Sequence, residues 1–196
     1  MSRTPYSKDN AAFSEQAHVA AQDLIYPAIF RTSRDKLTFE STLVNDSAKG
    51  EVLDGDMAID KIVKVAAVHD LFKQPIQFTV QERFRRMEFM KWQDITITEW
   101  NNRSGLPSEL YKLSANIFVY GYYDPAANSF GDAIALNVTS LLTRLCDGEL
   151  QFAYNKNPRS NQDFIGVKFM AMSQAGCVIY WQEAPCALAD LLKSDP

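Results

Sequence analysis

The sequence predicts an α/β protein in which a mixed central β-sheet is flanked by helices. Three observations predict it. An amphipathic helix pattern opens the chain, four segments rich in β-formers follow between residues 37 and 100, and a continuous apolar run, IFVYGYY, occupies residues 117–123. The last is the pattern of a strand covered on both faces.

Residues 10–30 read as the helix. Asn10 can cap it, and Phe13, Ala17, Ala20, Ala21, Leu24 and Ala28 recur at helical spacing. Pro27 bends or shortens its last turn, because proline has no N–H to donate. LTFESTLV (37–44) is the first strand, and MAIDKIVKV (57–65) is the second, after a turn at SAKG. IQFTVQERF (76–84) alternates, with Ile76, Phe78, Val80 and Phe84 on one face and Gln77, Thr79, Gln81 and Arg83 on the other. DITITEW (94–100) is a fourth strand. SGLPSELYKL supplies a Ser cap, an early Pro and a Glu, which are helix-start signals. Residues 133–138 can pair with the 117–123 strand, and a short helix follows near 140–146. Residues 164–172 and 177–181 read as a hairpin closing across SQAG, and 186–193 as a small terminal helix. The order is not that of a repeating βαβ barrel.

No repeat, low-complexity tract or linker divides the chain. All 196 residues are therefore read as one domain, with a motif-bearing core at about 10–123 and further strands and helices at 124–196. Hydrophobic residues make up 46% and charged residues 22%, the balance of an ordinary globular protein. No run approaches the roughly 18 apolar residues of a membrane helix. The start, MSRTPYSKDN, has no signal-type apolar segment, so the expected address is the cytoplasm. Cys146, Cys177 and Cys186 are odd in number and lack metal-ligand spacing, which predicts core cysteines in a reducing compartment. A net charge of −4 and a pI near 5.2 do not advertise nucleic-acid binding. Carboxylates that hold metal add negative charge, however, while local arginines meet phosphate. His18 and His69 show no ligand spacing, and neither a Ser-centred elbow nor a Walker loop is present. The polar loop at 155–163 reads as surface.

The distinctive segments are GDMAIDKIV and FTVQERFRR. Asp60 interrupts an apolar strand and needs a partner, a metal or solvent, because an unpaired buried charge is costly. Gln81 and Arg83, two apart on the next strand, leave the sheet on one face.

This arrangement resembles the PD-(D/E)XK nuclease superfamily of restriction-endonuclease-like and Holliday-junction-resolvase-like folds. There an Asp on one strand and a Glu-x-Lys pair on the next surround Mg²⁺. The resemblance implies a metal-dependent nuclease that hydrolyses DNA phosphodiesters with Mg²⁺ or Mn²⁺ as cofactor. It implies DNA as partner, no membrane, and allows a homodimer. Carried over, Asp60 matches the metal-binding Asp, Gln81 the Glu position, Arg83 the Lys position, and Glu15 on the first helix an accessory carboxylate. Asp60, Gln81 and Glu15 form the implied metal set, and Arg83, Arg85 and Arg86 the implied nucleic-acid contacts. Some members move the lysine to the following helix, where Lys112 is the candidate, three residues after Glu109.

The chain departs from the pattern at Ile59-Asp60, which replaces Pro-Asp, and at Gln81-Glu82-Arg83, which replaces Glu-x-Lys. Gln offers a carbonyl oxygen without charge, and Arg keeps its proton, so it suits phosphate contact. A shift of one residue would make Glu82 the acid. Its face is shared with Val80 and Phe84, so Gln81 is preferred. Against these roles stand plainer ones. Asp60 can pair structurally with Arg83 or Arg85, and Glu15 and Lys112 can be solvated. The same scaffold can also serve as a catalytically inactive nucleic-acid-binding or assembly subunit.

Overall fold

The computed structural model of the protein describes residues 8–42, 51–66, 74–157 and 161–184. The first helix, α1 (Lys8–Leu24), presents Ala17, Ala20 and Ala21 inward, and these small side chains let the helix lie close on the sheet. It breaks at Ile25 and resumes as the single turn α2 (Tyr26–Ile29), with Pro27 in its first positions, where its missing N–H is tolerated. The expected 10–30 helix is thus interrupted at Ile25, two residues before the proline.

Three antiparallel strands follow: β1 (Leu37–Ser41), β2 (Lys61–Val65) and β3 (Ile76–Arg86). The first strand is shorter than expected, and residues 43–44 lie outside the described residues. The segment before β2 is irregular. A π-helical turn (Glu51–Asp56) leads to Ala58 at φ 47°, and the ladder begins only at Lys61. Asp60 is therefore the residue that enters β2. Its N–H donates to Val80 O at 2.9 Å, and its carbonyl accepts from the Thr42 N–H at 3.0 Å.

A 3₁₀ segment (Met87–Trp92) then leads away from β3 into β4 (Asp94–Asn101), the two-residue β5 (Leu106–Pro107) and the one-turn α3 (Glu109–Lys112). The helix expected from SGLPSELYKL is only that one turn, because its Leu-Pro pair is drawn into β5 beside β4. The chain returns as β6 (Ile117–Asp124), parallel to β3, followed by antiparallel β7 (Ser129–Asn137). Next come α4 (Val138–Cys146), β8 (Ala153–Asn157), β9 (Gln162–Lys168), α5 (Phe169–Gln174) and β10 (Val178–Gln182). Asn137 caps α4, its side chain accepting from the Ser140 N–H at 2.9 Å.

The result is a mixed α/β fold around a mixed six-stranded sheet, β1-β2-β3-β6-β7-β10, flanked by helices. One feature differs from expectation. The strands β5-β4-β9-β8 form a second, antiparallel sheet that covers one face of the first. The expected closing hairpin at 164–181 does not exist. Its halves are β9 and β10, which sit in different sheets with α5 between them. The terminal helix expected at 186–193 lies outside the described residues.

Two apolar clusters follow from this layering. Ala17, Ala21, Ile25, Tyr26, Val63, Val80 and Val119 fill the space between α1, α2 and the six-stranded sheet. Phe118, Tyr120, Tyr122, Ile95, Ile97, Ile165 and Val167 fill the space between the sheets. Cys177 is buried in the second cluster, whereas Cys146 is exposed, against the expectation of core cysteines, and Cys186 is outside the described residues. No helix among the described residues is long and apolar enough to cross a membrane.

Candidate functional site

Because β3 runs between two layers, its alternation sends side chains into two different environments. Val80, Glu82, Phe84 and Arg86 face α1, and Gln81, Arg83 and Arg85 face the second sheet. On the α1 side a cleft of ≈ 420 Å³ opens beside the helix, and Glu15, His18, Asp60, Lys61 and Glu82 contribute to its walls.

Glu82 is the hub of this cleft, with a fully buried side chain. Its Oε2 meets His18 Nδ1 at 2.5 Å and Lys61 Nζ at 2.8 Å. Its Oε1 accepts from the Tyr26 hydroxyl. Its backbone N–H donates to Asp60 Oδ2 at 2.8 Å. Lys61 lies with Nζ 5.7 Å from the Tyr26 ring centroid and 5.9 Å from that of Phe39, so aromatic faces help hold the buried ammonium.

The electrostatics follow from the geometry. Burial pushes the Glu82 carboxyl up, but the His18 hydrogen bond and the Lys61 charge outweigh it and hold the group below the usual carboxylate range. Asp60 goes the other way. Burial is the main cause, the Glu82 charge adds to it, and the hydrogen bond from the Glu82 N–H opposes it, leaving Asp60 pushed up to about 7. The Tyr26 hydroxyl is pushed well up by burial and by Glu82, so it stays a proton donor.

The residues expected to form the site do not all meet. Asp60 and Glu15 share the cleft, Glu15 from an exposed position on α1. Gln81 and Arg83 do not join them. Gln81 Nε2 donates to Glu109 Oε1 at 3.3 Å on the opposite face, and Arg83 Nη2 pairs with Glu109 Oε2 at 3.0 Å. Arg83 also donates to Thr96 O at 2.7 Å and to Thr98 Oγ1 at 3.1 Å. The physical reason is the register that alternation predicted: Glu82, not Gln81, shares a face with Val80. The alternative pairing of Asp60 with Arg83 or Arg85 is also not found, since Arg85 lies 3.7 Å from Asp94. Arg86 reaches toward α1, with Nη2 3.4 Å from Asn10 Oδ1. The arginine cluster is therefore split between two faces. Lys112 is exposed on α3, which packs on β4, away from the cleft.

Sequence reasoning missed His18, Lys61 and Tyr26 as members of the site, and set Glu82 aside. A signal did exist for two of them. His18 is three residues after Glu15 on one helical face, and Lys61 directly follows Asp60.

Asp60, Glu82 and Glu15 are the carboxylates beside this cleft, the hard-oxygen type that a divalent cation would take. The Glu82 oxygens are engaged by His18, Lys61 and Tyr26, and among the described residues no three His, Cys, Asp or Glu side chains are already gathered as a metal cage. Another cleft, of ≈ 390 Å³, is nearly all apolar and has no basic residue in its lining. No protein-family model, curated protein or solved structure matches the chain.

Proposed function

We propose that the protein is a metal-dependent nuclease that hydrolyses DNA phosphodiesters in the cleft beside α1, with Asp60 and Glu82 as its paired carboxylates. The observation that carries this reading is the adjacency of Asp60 and Glu82 beside Lys61 in one open cleft, locked by the 2.8 Å bond from the Glu82 N–H to Asp60. The order of elements also supports the restriction-endonuclease-like resemblance: a helix, an Asp entering one strand, a carboxylate on the neighbouring strand, and a buried strand after it. Relative to the motif expected from sequence, the acid moves from Gln81 to Glu82, and the cation from Arg83 to Lys61.

Asp60 and Glu82 would hold Mg²⁺ or Mn²⁺, with Glu15 as the accessory carboxylate. When bound, such an ion acidifies a coordinated water and offsets charge on the phosphate. The protein's own groups have separate tasks. Lys61 neutralises Glu82 and sets a positive charge behind the cleft wall, where it would offset part of a phosphate's charge. His18, one ring nitrogen on Glu82 and one-fifth exposed, orients that carboxylate from the edge of the cleft. Tyr26 fixes the Glu82 rotamer from below.

A cleavage assay on duplex, junction and single-stranded DNA with Mg²⁺ or Mn²⁺ tests this. Asp60→Ala and Glu82→Gln are expected to abolish cleavage, while Gln81→Ala and Lys112→Ala leave it intact. Cleavage that survives Asp60→Ala moves the chemistry elsewhere. One observation favours a second reading, a catalytically inactive nucleic-acid-binding or assembly subunit. The Glu82 carboxylate is already engaged by three neighbours, and Arg83 is tied to Glu109 rather than facing the cleft. DNA binding with neither cleavage nor calorimetric Mg²⁺ binding would select it.

A further inference from the structure

A different cleft, of ≈ 620 Å³, opens over β4 and β9 on the second-sheet side of β3. That size is within the range of small-ligand sites. Its construction begins where β3 ends. The Arg85 guanidinium lies 4.2 Å from the Phe89 ring centroid and 5.8 Å from that of Trp92, and the two rings stack at 5.7 Å with an interplanar angle of 21°. Lys91 Nζ lies 5.2 Å from the Trp92 centroid. Cations thus pin a stacked aromatic pair, yet Trp92 remains 45% exposed. A further aromatic in the lining, Phe152 from the segment before β8, is 49% exposed. Large aromatic side chains left this exposed in a cleft offer area on which a flat partner can stack.

The polar groups of the cleft say which partner. Asp94 is half-buried, its cationic neighbours stand at 3.7 Å (Arg85) and 4.0 Å (Lys168), too far for good hydrogen bonds, and the Tyr122 hydroxyl, which donates to the Asp94 carbonyl at 2.7 Å, lies a long 3.4 Å from Oδ1. Its oxygens therefore keep acceptor capacity toward a ligand. Burial also raises the Asp94 carboxyl above its usual range, against the pull of Lys168 and Arg85. Gly166 keeps the carboxylate reachable, since a Cβ there would already stand 3.5 Å from Asp94 Oδ2 and a longer side chain would crowd it. Lys168, 60% exposed, offers a positive charge at the same carboxylate.

We propose that this cleft binds a guanine nucleotide, its base stacked on Trp92 and Phe152, its Watson–Crick edge on Asp94 and its phosphate near Lys168. An ionised carboxylate only accepts hydrogen bonds, and guanine presents adjacent ring N–H and amino donors, whereas adenine presents an acceptor beside its amino group. The same chemistry can arrive as a free nucleotide or as an unpaired base in a DNA strand. The site is independent of the hydrolytic reading, so binding is measured with a chelator present.

Calorimetric titrations would use guanosine monophosphate, adenosine monophosphate and a short single-stranded DNA of mixed sequence. Guanosine monophosphate should bind more tightly than adenosine monophosphate, with affinity about tenfold weaker in Trp92→Leu and Phe152→Leu. Both positions are exposed, so the variants keep the fold, which circular dichroism checks. Asp94→Asn should abolish the guanine preference. Binding of the strand but not the mononucleotide, with the same dependence on Trp92 and Phe152, assigns the site to a strand base. No binding of either probe, binding unchanged in both aromatic variants, or a guanine preference that persists in Asp94→Asn overturns the proposal.

Discussion

The two faces of β3 solve the same problem in opposite ways. Toward α1, Glu82 is completely buried and collects His18, Lys61 and Tyr26 around one carboxylate. Toward the second sheet, Gln81 and Arg83 share Glu109, and Arg83 keeps about a third of its side chain in solvent. The first face concentrates charge on a carboxylate that is itself out of reach of solvent, so every member depends on the others. The second hangs its polar groups on Glu109, with Arg83 partly in solvent, so its ion pair is worth less. Neighbouring residues of one strand therefore differ in how much the fold needs them, and the depth of the layer decides which matters.

Mutations can break or sharpen that contrast. The largest effect is expected at Glu82→Ala, which strands the Lys61 ammonium and the Tyr26 hydroxyl in a buried site. The cost is roughly 3–5 kcal/mol, read as a lower midpoint in urea unfolding. Arg83→Gln removes one partly exposed ion pair and two hydrogen bonds, at about 1–2 kcal/mol. A loss as large as that of Glu82→Ala would mean the two faces are equally dependent on their charges. Gln81→Leu should be within about 1 kcal/mol of the parent or more stable, because the buried Gln81 Oε1 has no hydrogen-bond partner among the described residues.

The smallest effect is a pH dependence at Asp94. Its native carboxyl is raised, so between the ordinary Asp value, about 3.9, and that raised value the folded state binds more proton than the unfolded one. Its contribution is fully present below the ordinary value and is lost as pH rises through the raised one. Stability curves of the parent and of Asp94→Asn should therefore diverge across that window, with the parent falling relative to the variant. Parallel curves would remove Asp94 from the account.

Much of this was legible in the sequence. Helical spacing found α1, and Pro27 located its break to within two residues. Alternation assigned Gln81 and Arg83 to one face of β3 and Val80 to the other, as observed. What alternation could not say is which face carries the site, because a strand between two layers has no solvent face to use as reference. The apolar company of Glu82 argued against it, yet that burial is what gathers its partners. His18 lies 64 residues away in sequence, and Tyr26 56. Such distant pairs leave no local pattern. The second sheet was hidden for a related reason: DITITEW announces a strand with a buried face, not which sheet it joins.

The parallel pairing of β3 with β6 also bears on how the chain assembles. Antiparallel neighbours can zip from a turn, but β6 reaches β3 only after residues 87–116 have made their excursion through the second sheet. The elements that build the carboxylate cleft, α1 through β3, all precede that excursion, and β1, β2 and β3 pair in sequence order, although α1 and α2 reach Glu82 across 64 and 56 residues. The guanine cleft needs β4 to find β9, whose register joins Asp94 to Lys168 across most of the remaining chain. Loop-closure entropy must be met before those contacts stabilise anything. As the chain is made, the antiparallel strands around Asp60 and Glu82 are free to pair first, and β4 lacks its long antiparallel partner until β9 has been made.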